Sequence, residues 1–218
     1  MAKKNYFTND EMLQNAKVLF ETLENNSSIA QKLDEYGYGA KEITQGKALY
    51  AQAETLYGKN KKETDEEKVA YAQFKQKMDD LTQVYSEHRN KSKLVYKTND
   101  AAQISLGLKT AMSRTILPLL EEIAYFYKNL NEQEALRSPL ERVKITQADI
   151  TSQQSKVTEA KNLYAIYSQE KNESEQATKD KNVAFEALDK WTKELYSYAK
   201  YALADQPQFL QIFGKAVS

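Results

Sequence analysis

The chain has no cysteine and a single histidine, His88. Disulfide frameworks, thiol nucleophiles and cysteine-ligated metals are therefore excluded. One imidazole cannot build a multi-histidine zinc site. A di-iron bundle is excluded too, because it needs two Glu-x-x-His motifs and Tyr85 stands three residues before His88. Glycine and proline are scarce, 6 and 3 among 218 residues. That leaves little for a phosphate cradle, and neither a Walker-type loop nor Gly-x-Gly-x-x-Gly occurs. No sign of charge dominates: residues 1–108 carry 16 basic and 16 acidic groups, and residues 109–218 carry 15 of each. Nucleic-acid binding usually needs a basic excess or stripe. The densest basic run, Arg89, Lys91, Lys93 and Lys97, is interleaved with Val95 and Tyr96 and reads as a solvated helix face. Long apolar runs are missing as well. Ile116-Leu117-Pro118-Leu119-Leu120 is far short of a membrane span. Met1-Ala2-Lys3-Lys4-Asn5 has the charge of a signal peptide, but Asn9, Asp10 and Glu11 stand where its apolar core should follow. A soluble cytoplasmic protein is expected, with no membrane, nucleic-acid, metal or cofactor partner.

What remains is rich in helix formers, and the expected class is all-α. Thr8-x-x-Glu11 is a capping box opening a helix whose apolar face is Met12, Ala16, Leu19, Phe20 and Leu23. A short piece through Ile29 and Leu33 follows, then a turn at Tyr36-Gly37-Tyr38-Gly39. A second long helix should carry Ile43, Gly46, Ala53 and Leu56. Thr64-x-x-Glu67 should cap a separate third helix with the stripe Tyr71, Phe74, Met78, Leu81, Tyr85, His88, Ser92 and Val95. Further helices are expected through Leu119–Leu130, from Thr146-x-x-Asp149 onward, and through Phe185–Ala202. Ser138-Pro139-Leu140-Glu141 carries start signals between them. Asp205-Gln206-Pro207 should end the last helix, letting Phe209, Leu210, Ile212 and Phe213 fold back as an apolar lid.

The chain also reads as written twice, at a spacing of 107 residues. Leu33 recurs as Leu140, Ile43-Thr44 as Ile150-Thr151, Leu56-Tyr57 as Leu163-Tyr164, Leu81 as Leu188 and Gly107 as Gly214. Identities number 15 over the 95 ungapped pairs starting at Leu13/Leu120, a count that shared helical composition partly explains. Agreement of apolar phase is the stronger signal: Phe20/Tyr127, Leu23/Leu130, Tyr38/Ile145, Met78/Phe185 and Val84/Trp191 also match. One stretch disagrees, with Tyr71 and Phe74 opposite Thr178 and Lys181. A local shift laying Val69-Ala70-Tyr71 on Val183-Ala184-Phe185 would repair it. The expected architecture is an up-and-down bundle of about six long helices, three from each repeat (1–108 and 109–218), packed as one compact unit about a pseudo-two-fold axis.

Chemistry is harder to find. Adjacent carboxylates such as Glu66-Glu67, Asp79-Asp80 and Glu121-Glu122 diverge around a helix and do not converge on a substrate. His88 sits at an inward position, where a neutral imidazole bonded to a core hydroxyl or carbonyl is the plain expectation. Tyrosines gather as Tyr196, Tyr198 and Tyr201 and as Tyr36, Tyr38, Tyr50 and Tyr57. Such residues suit helical-core borders and recognition surfaces alike. Two functions stay open. One is a non-enzymatic module that binds a protein partner or itself. The other is a small-ligand binder or unconventional enzyme with a pocket between the repeats, lined by Tyr85, His88, Trp191 or Tyr198.

Leu33-Asp34-Glu35-Tyr36-Gly37-Tyr38, followed by Ile43, Gly46 and Leu49, resembles a family of bacterial all-helical proteins with two related halves. So do Ala184-Phe185-Glu186-Ala187-Leu188-Asp189-Lys190-Trp191 and Ala202-Leu203-Ala204-Asp205-Gln206-Pro207-Gln208. The family is uncharacterised, so the resemblance implies a fold and a duplication but no activity. One departure stands out: Val143-Lys144-Ile145 lies opposite Tyr36-Gly37-Tyr38, without the second glycine.

Overall fold

The computed structural model describes residues 7–213, so Met1-Ala2-Lys3-Lys4-Asn5 and the closing Gly214 lie outside the described residues. Seven α-helices and two 3-10 segments are present among them, and no strand. The helices are α1 (Asn9–Asn25), α2 (Ser27–Glu35), α3 (Ala40–Val95), α4 (Asp100–Ser105), α5 (Ile116–Glu132), α6 (Glu134–Arg137) and α7 (Gln147–Ala202). The 3-10 segments are Ser138–Val143 and Pro207–Phe213. The protein is all-α, as expected. It does not have six comparable long helices: two helices of 56 residues and two of 17 are joined by short ones.

The merging of two expected helices into α3 has a local cause. Thr64 is not a cap, since its hydroxyl donates back to the Asn60 carbonyl at 2.7 Å inside a continuous helix. No proline interrupts residues 40–95, and Gly58 costs only about 1 kcal/mol relative to alanine. A threonine that bonds four residues back mimics a start signal without ending anything. By contrast, Thr8 and Glu11 form both arms of their capping box. Thr146 and Asp149 do the same, with the Thr146 N–H donating to Asp149 at 2.8 Å and the Asp149 N–H to the Thr146 hydroxyl at 3.2 Å.

Helix bounds repeat at the 107-residue spacing. Helices α1 and α5 correspond end for end, and so do α3 and α7. The turn after α2 shows why a missing glycine matters little. Gly37 is left-handed (φ 87°), and Lys144, at the same offset, is left-handed too (φ 60°). The Tyr38 N–H donates to the Leu33 carbonyl, and the Ile145 N–H donates to that of Leu140. This is the hydrogen bond of a Schellman-type helix stop. Lysine adopts there a conformation that costs an L-residue about 1–2 kcal/mol.

The described residues form two compact units whose bounds differ from the two sequence halves. Unit 1 takes the chain up to Thr64 and from Glu173 onward, and unit 2 takes Asp65–Asn172. Helices α3 and α7 run through both. Unit 1 has its own core, including Leu19, Phe20, Leu33, Ala53, Leu188, Trp191 and Leu195. In it the start of α3 lies against the end of α7: Tyr57 meets Phe185 at 5.7 Å, and the Asn60 amide donates to the Thr178 hydroxyl at 2.9 Å. The 3-10 segment Pro207–Phe213 packs on α1 and buries Phe213, so the expected apolar lid forms. Unit 2 has a separate core, including Phe74, Leu81, Tyr85, Ile123, Phe126, Tyr127 and Leu140. There Tyr71 meets Tyr167 at 5.2 Å. Tyr71 and Tyr167 are the 107-residue counterparts of Thr178 and Asn60. The stretch that disagrees in sequence thus meets across α3 and α7 in both units, through polar groups at Asn60–Thr178 and through rings at Tyr71–Tyr167.

Candidate functional site

Inward positions on the last turns of α3 carry polar groups into the core of unit 2. His88 is buried, with its Nδ1 3.0 Å from the Tyr127 hydroxyl, and the Ser92 hydroxyl donates to the His88 carbonyl. Burial lowers the His88 pKa, which favours the neutral ring at neutral pH. The core hydroxyl expected for this histidine is Tyr127. One turn along, the Tyr85 hydroxyl donates to Glu122 Oε1 at 2.8 Å and accepts from Arg89 Nε at 3.2 Å. Desolvation, reinforced by Glu122, raises the Tyr85 pKa, so its hydroxyl keeps its proton. Arg89, only 3% exposed, also donates to the carbonyls of Gly107 and Thr110. Glu122 Oε2 accepts from the Ser113 N–H. These bonds tie α3 and α5 to the connection between α4 and α5. They consume Tyr85 and His88 in internal structure.

The other two sequence candidates lie in unit 1. The Trp191 ring is 8% exposed and sits 5.6 Å from Phe20 and 6.2 Å from Tyr38. Tyr198 is 43% exposed and stacks at a tilt on Tyr38, 5.1 Å away. Burial, and then Glu194, push the Tyr38 hydroxyl pKa up to about 12. Tyr85 and His88 thus share one unit and Trp191 and Tyr198 the other, each pair within its own core or rim.

The feature with the shape of a binding site is a cavity of about 310 Å³ in unit 1, between α1, the last third of α7 and the 3-10 segment. Its walls come from the apolar stripes that build the core. Met12, Ala16 and Leu19 line one side, Phe185 and Leu188 the other, and Phe213 an end. Polar groups stand at a few positions: Asn15, Thr192, Glu186, the Tyr196 hydroxyl and an Asp189–Lys193 pair one turn apart. An apolar chamber with a few polar anchors matches the usual make-up of a small-molecule site. It offers apolar burial along the walls and hydrogen bonds at the rim.

Sequence reading passes over this site because none of its residues is chemically unusual. The signal lies in a comparison between the halves. Thr192 stands where the first half has Tyr85, and Ala16 stands where the second half has Ile123. Ala16 and Thr192 are the small side chains on the cavity wall.

Among the described residues, no helix is long and apolar enough to cross a membrane. The chain matches no family model, and no curated protein and no solved structure is significantly similar to it.

Proposed function

We propose that this is a non-enzymatic cytoplasmic binding protein, built from two copies of one helical plan, and that it holds a small apolar molecule in the unit 1 cavity. The observation that carries the reading is the cavity itself: about 310 Å³ of half-open space at the edge of a helical core, walled by Leu19, Phe185, Leu188 and Phe213. Close packing is the norm in protein interiors, with few voids larger than a water molecule. A concave pocket walled mainly by apolar side chains favours an apolar guest. Of the groups best suited to acid–base chemistry, Tyr85, Arg89 and Glu122 are engaged with one another and His88 with Tyr127, all within unit 2, which supports binding over catalysis.

Thermal unfolding in the presence of a panel of medium-chain fatty acids, short alcohols and monocyclic aromatics tests this. A ligand that binds only the folded state stabilises it by about 2.7 kcal/mol at a hundredfold excess over its Kd. At least one compound is expected to raise Tm in a saturable way, and Ala16→Phe should remove the effect. A panel with no saturable shift overturns the reading.

Association with a protein partner or with a second copy has its own support in the exposed tyrosines of unit 1, Tyr36 at 45%, Tyr198 at 43% and Tyr201 at 73%. Sedimentation velocity across a concentration series separates a self-associating chain from a monomer. A single concentration-independent species overturns self-association.

A further inference from the structure

We infer that the ligand of the unit 1 cavity is a single-ring phenol carrying a short apolar substituent, seated where unit 2 places the ring of its own Tyr85. The inference rests on the binding reading above and names its ligand class. Its basis is the positional match between the units. The two long helices and the two 17-residue helices repeat their bounds at a spacing of 107 residues, and the contact Asn60–Thr178 recurs as Tyr167–Tyr71.

At that spacing the cavity wall has a filled counterpart. Thr192 corresponds to Tyr85, Leu19 to Phe126 and Ala16 to Ile123. In unit 2 those three larger side chains are fully buried, and Tyr85 packs edge-on against Phe126 at 5.3 Å. In unit 1 each is replaced by a smaller residue, and these three smaller residues line the cavity. Opposite these losses, Phe185 and Phe213 on the cavity wall stand where unit 2 has the smaller Met78 and Leu106, so the space left by the ring of Tyr85 and the end of Ile123 is narrowed by two phenylalanines and suits one ring with a short substituent. Removing such groups from a core leaves a chamber that accepts the missing shape from solution.

The polar anchor follows the same correspondence. In unit 2 the Tyr85 hydroxyl is held by Glu122 and Arg89. Their counterparts at the cavity are Asn15 and Tyr196. The Asn15 amide stands in place of the Glu122 carboxylate, and an amide that both donates and accepts suits a neutral hydroxyl. A carboxylate guest would meet Glu186 and Asp189 at the rim without a fixed cation, because Lys193 is bonded to Asp189. The space beside Ala16 takes the substituent.

The test is isothermal titration of the full chain with 4-ethylphenol, alongside ethylbenzene and decanoate. Expected is one site for 4-ethylphenol with a Kd of about 0.1–1 mM, in keeping with so few heavy atoms. Ethylbenzene should bind several-fold more weakly. Thr192→Tyr, which restores the counterpart ring, should weaken 4-ethylphenol at least about tenfold and raise the Tm of the free protein. Leu19→Phe gives the same result by a smaller change and serves if Thr192→Tyr does not fold. Decanoate binding without 4-ethylphenol binding overturns the phenol and leaves the cavity reading standing. No binding of any of the three, with Tm unmoved by Thr192→Tyr and Leu19→Phe, overturns both. Equal 4-ethylphenol affinity in wild type and the filled variants overturns this seat for the ring.

Discussion

Arg89→Met is expected to destabilise the protein by about 3–5 kcal/mol, the usual consequence of deleting one partner of a buried ion pair. The residue is buried in unit 2 beneath the connection that follows α4. Its Nε lies 3.6 Å from Glu122 Oε1, with side-chain exposures of 4% for Arg89 and 17% for Glu122. Methionine preserves most of the volume and the apolar contacts, so the change isolates the charge and its donors. Three acceptors lose a partner: the Tyr85 hydroxyl and the carbonyls of Gly107 and Thr110. Tyr85 is fully buried, where an unmet acceptor costs about 1–3 kcal/mol, whereas Gly107 is half-buried and Thr110 exposed, so their carbonyls add less. A negative Glu122 is also left beside an apolar side chain. The double variant Arg89→Met/Glu122→Gln removes the stranded charge, and a coupling of about 1–3 kcal/mol between the two sites is expected. Urea unfolding followed by circular dichroism measures all four corners of the cycle. A loss below about 1 kcal/mol for Arg89→Met would show that the guanidinium is held by solvent rather than by these groups.

That network also marks where sequence reading reached and where it stopped. The apolar stripe of α3 shows that Tyr85 and His88 point inward, and a helical period is enough to show it. Arg89 follows His88 by one position and looks like part of a basic, solvated face, together with Lys91, Lys93 and Lys97. Its burial comes from the connection around Gly107–Thr110 folding over the helix end, a non-local event that leaves no periodic trace. The same limit explains α3 and α7. Thr64-x-x-Glu67 has the residues of a cap, yet the backbone continues because nothing on the preceding turn, Gly58 included, prevents it. The all-α class, the capping boxes at Thr8 and Thr146, the turn at Gly37 and the fold-back of Phe213 are local or compositional properties, so they could be read directly. The division into two compact units could not. It depends on which stretches of two continuous helices share a core, and the sequence is uniform across the change near Thr64 and Glu173. The cavity was hidden for a third reason. Thr192, Ala16 and Leu19 are ordinary residues at ordinary helix positions, and nothing in their spacing marks the wall of a pocket.

Glycine-to-alanine changes within one helix should have opposite signs, and the Trp191 ring decides which. Alanine is favoured over glycine by about 1 kcal/mol in a helix interior. At Gly58 an added Cβ meets nothing within 4 Å, so Gly58→Ala is expected to stabilise by about that amount. At Gly46 the added Cβ would lie 2.2 Å from Trp191 Cζ2, 2.3 Å from Cη2 and 2.6 Å from Cε2. Three atoms of one rigid ring are involved, and rotating it away is opposed by Phe20 and Tyr38 on its other sides. Overpacking of a core costs about 1–3 kcal/mol, and here the clash must be relieved by moving α3, α7 or the indole. The net expectation for Gly46→Ala is a destabilisation of about 1–3 kcal/mol even after the gain in helix propensity. At a spacing of 107 residues Gly46 and Trp191 stand opposite Gln153 and Val84, a larger residue for the glycine and a smaller one for the indole. Cutting the ring back should therefore relieve the alanine. In Gly46→Ala/Trp191→Leu the second change is expected to cost at least about 1 kcal/mol less than it does in the wild type, where it leaves a cavity. Calorimetric unfolding of the four proteins gives the answer. If Gly46→Ala raises Tm as Gly58→Ala does, the indole does not rest on the α3 backbone, and the packing at the heart of unit 1 must be redrawn.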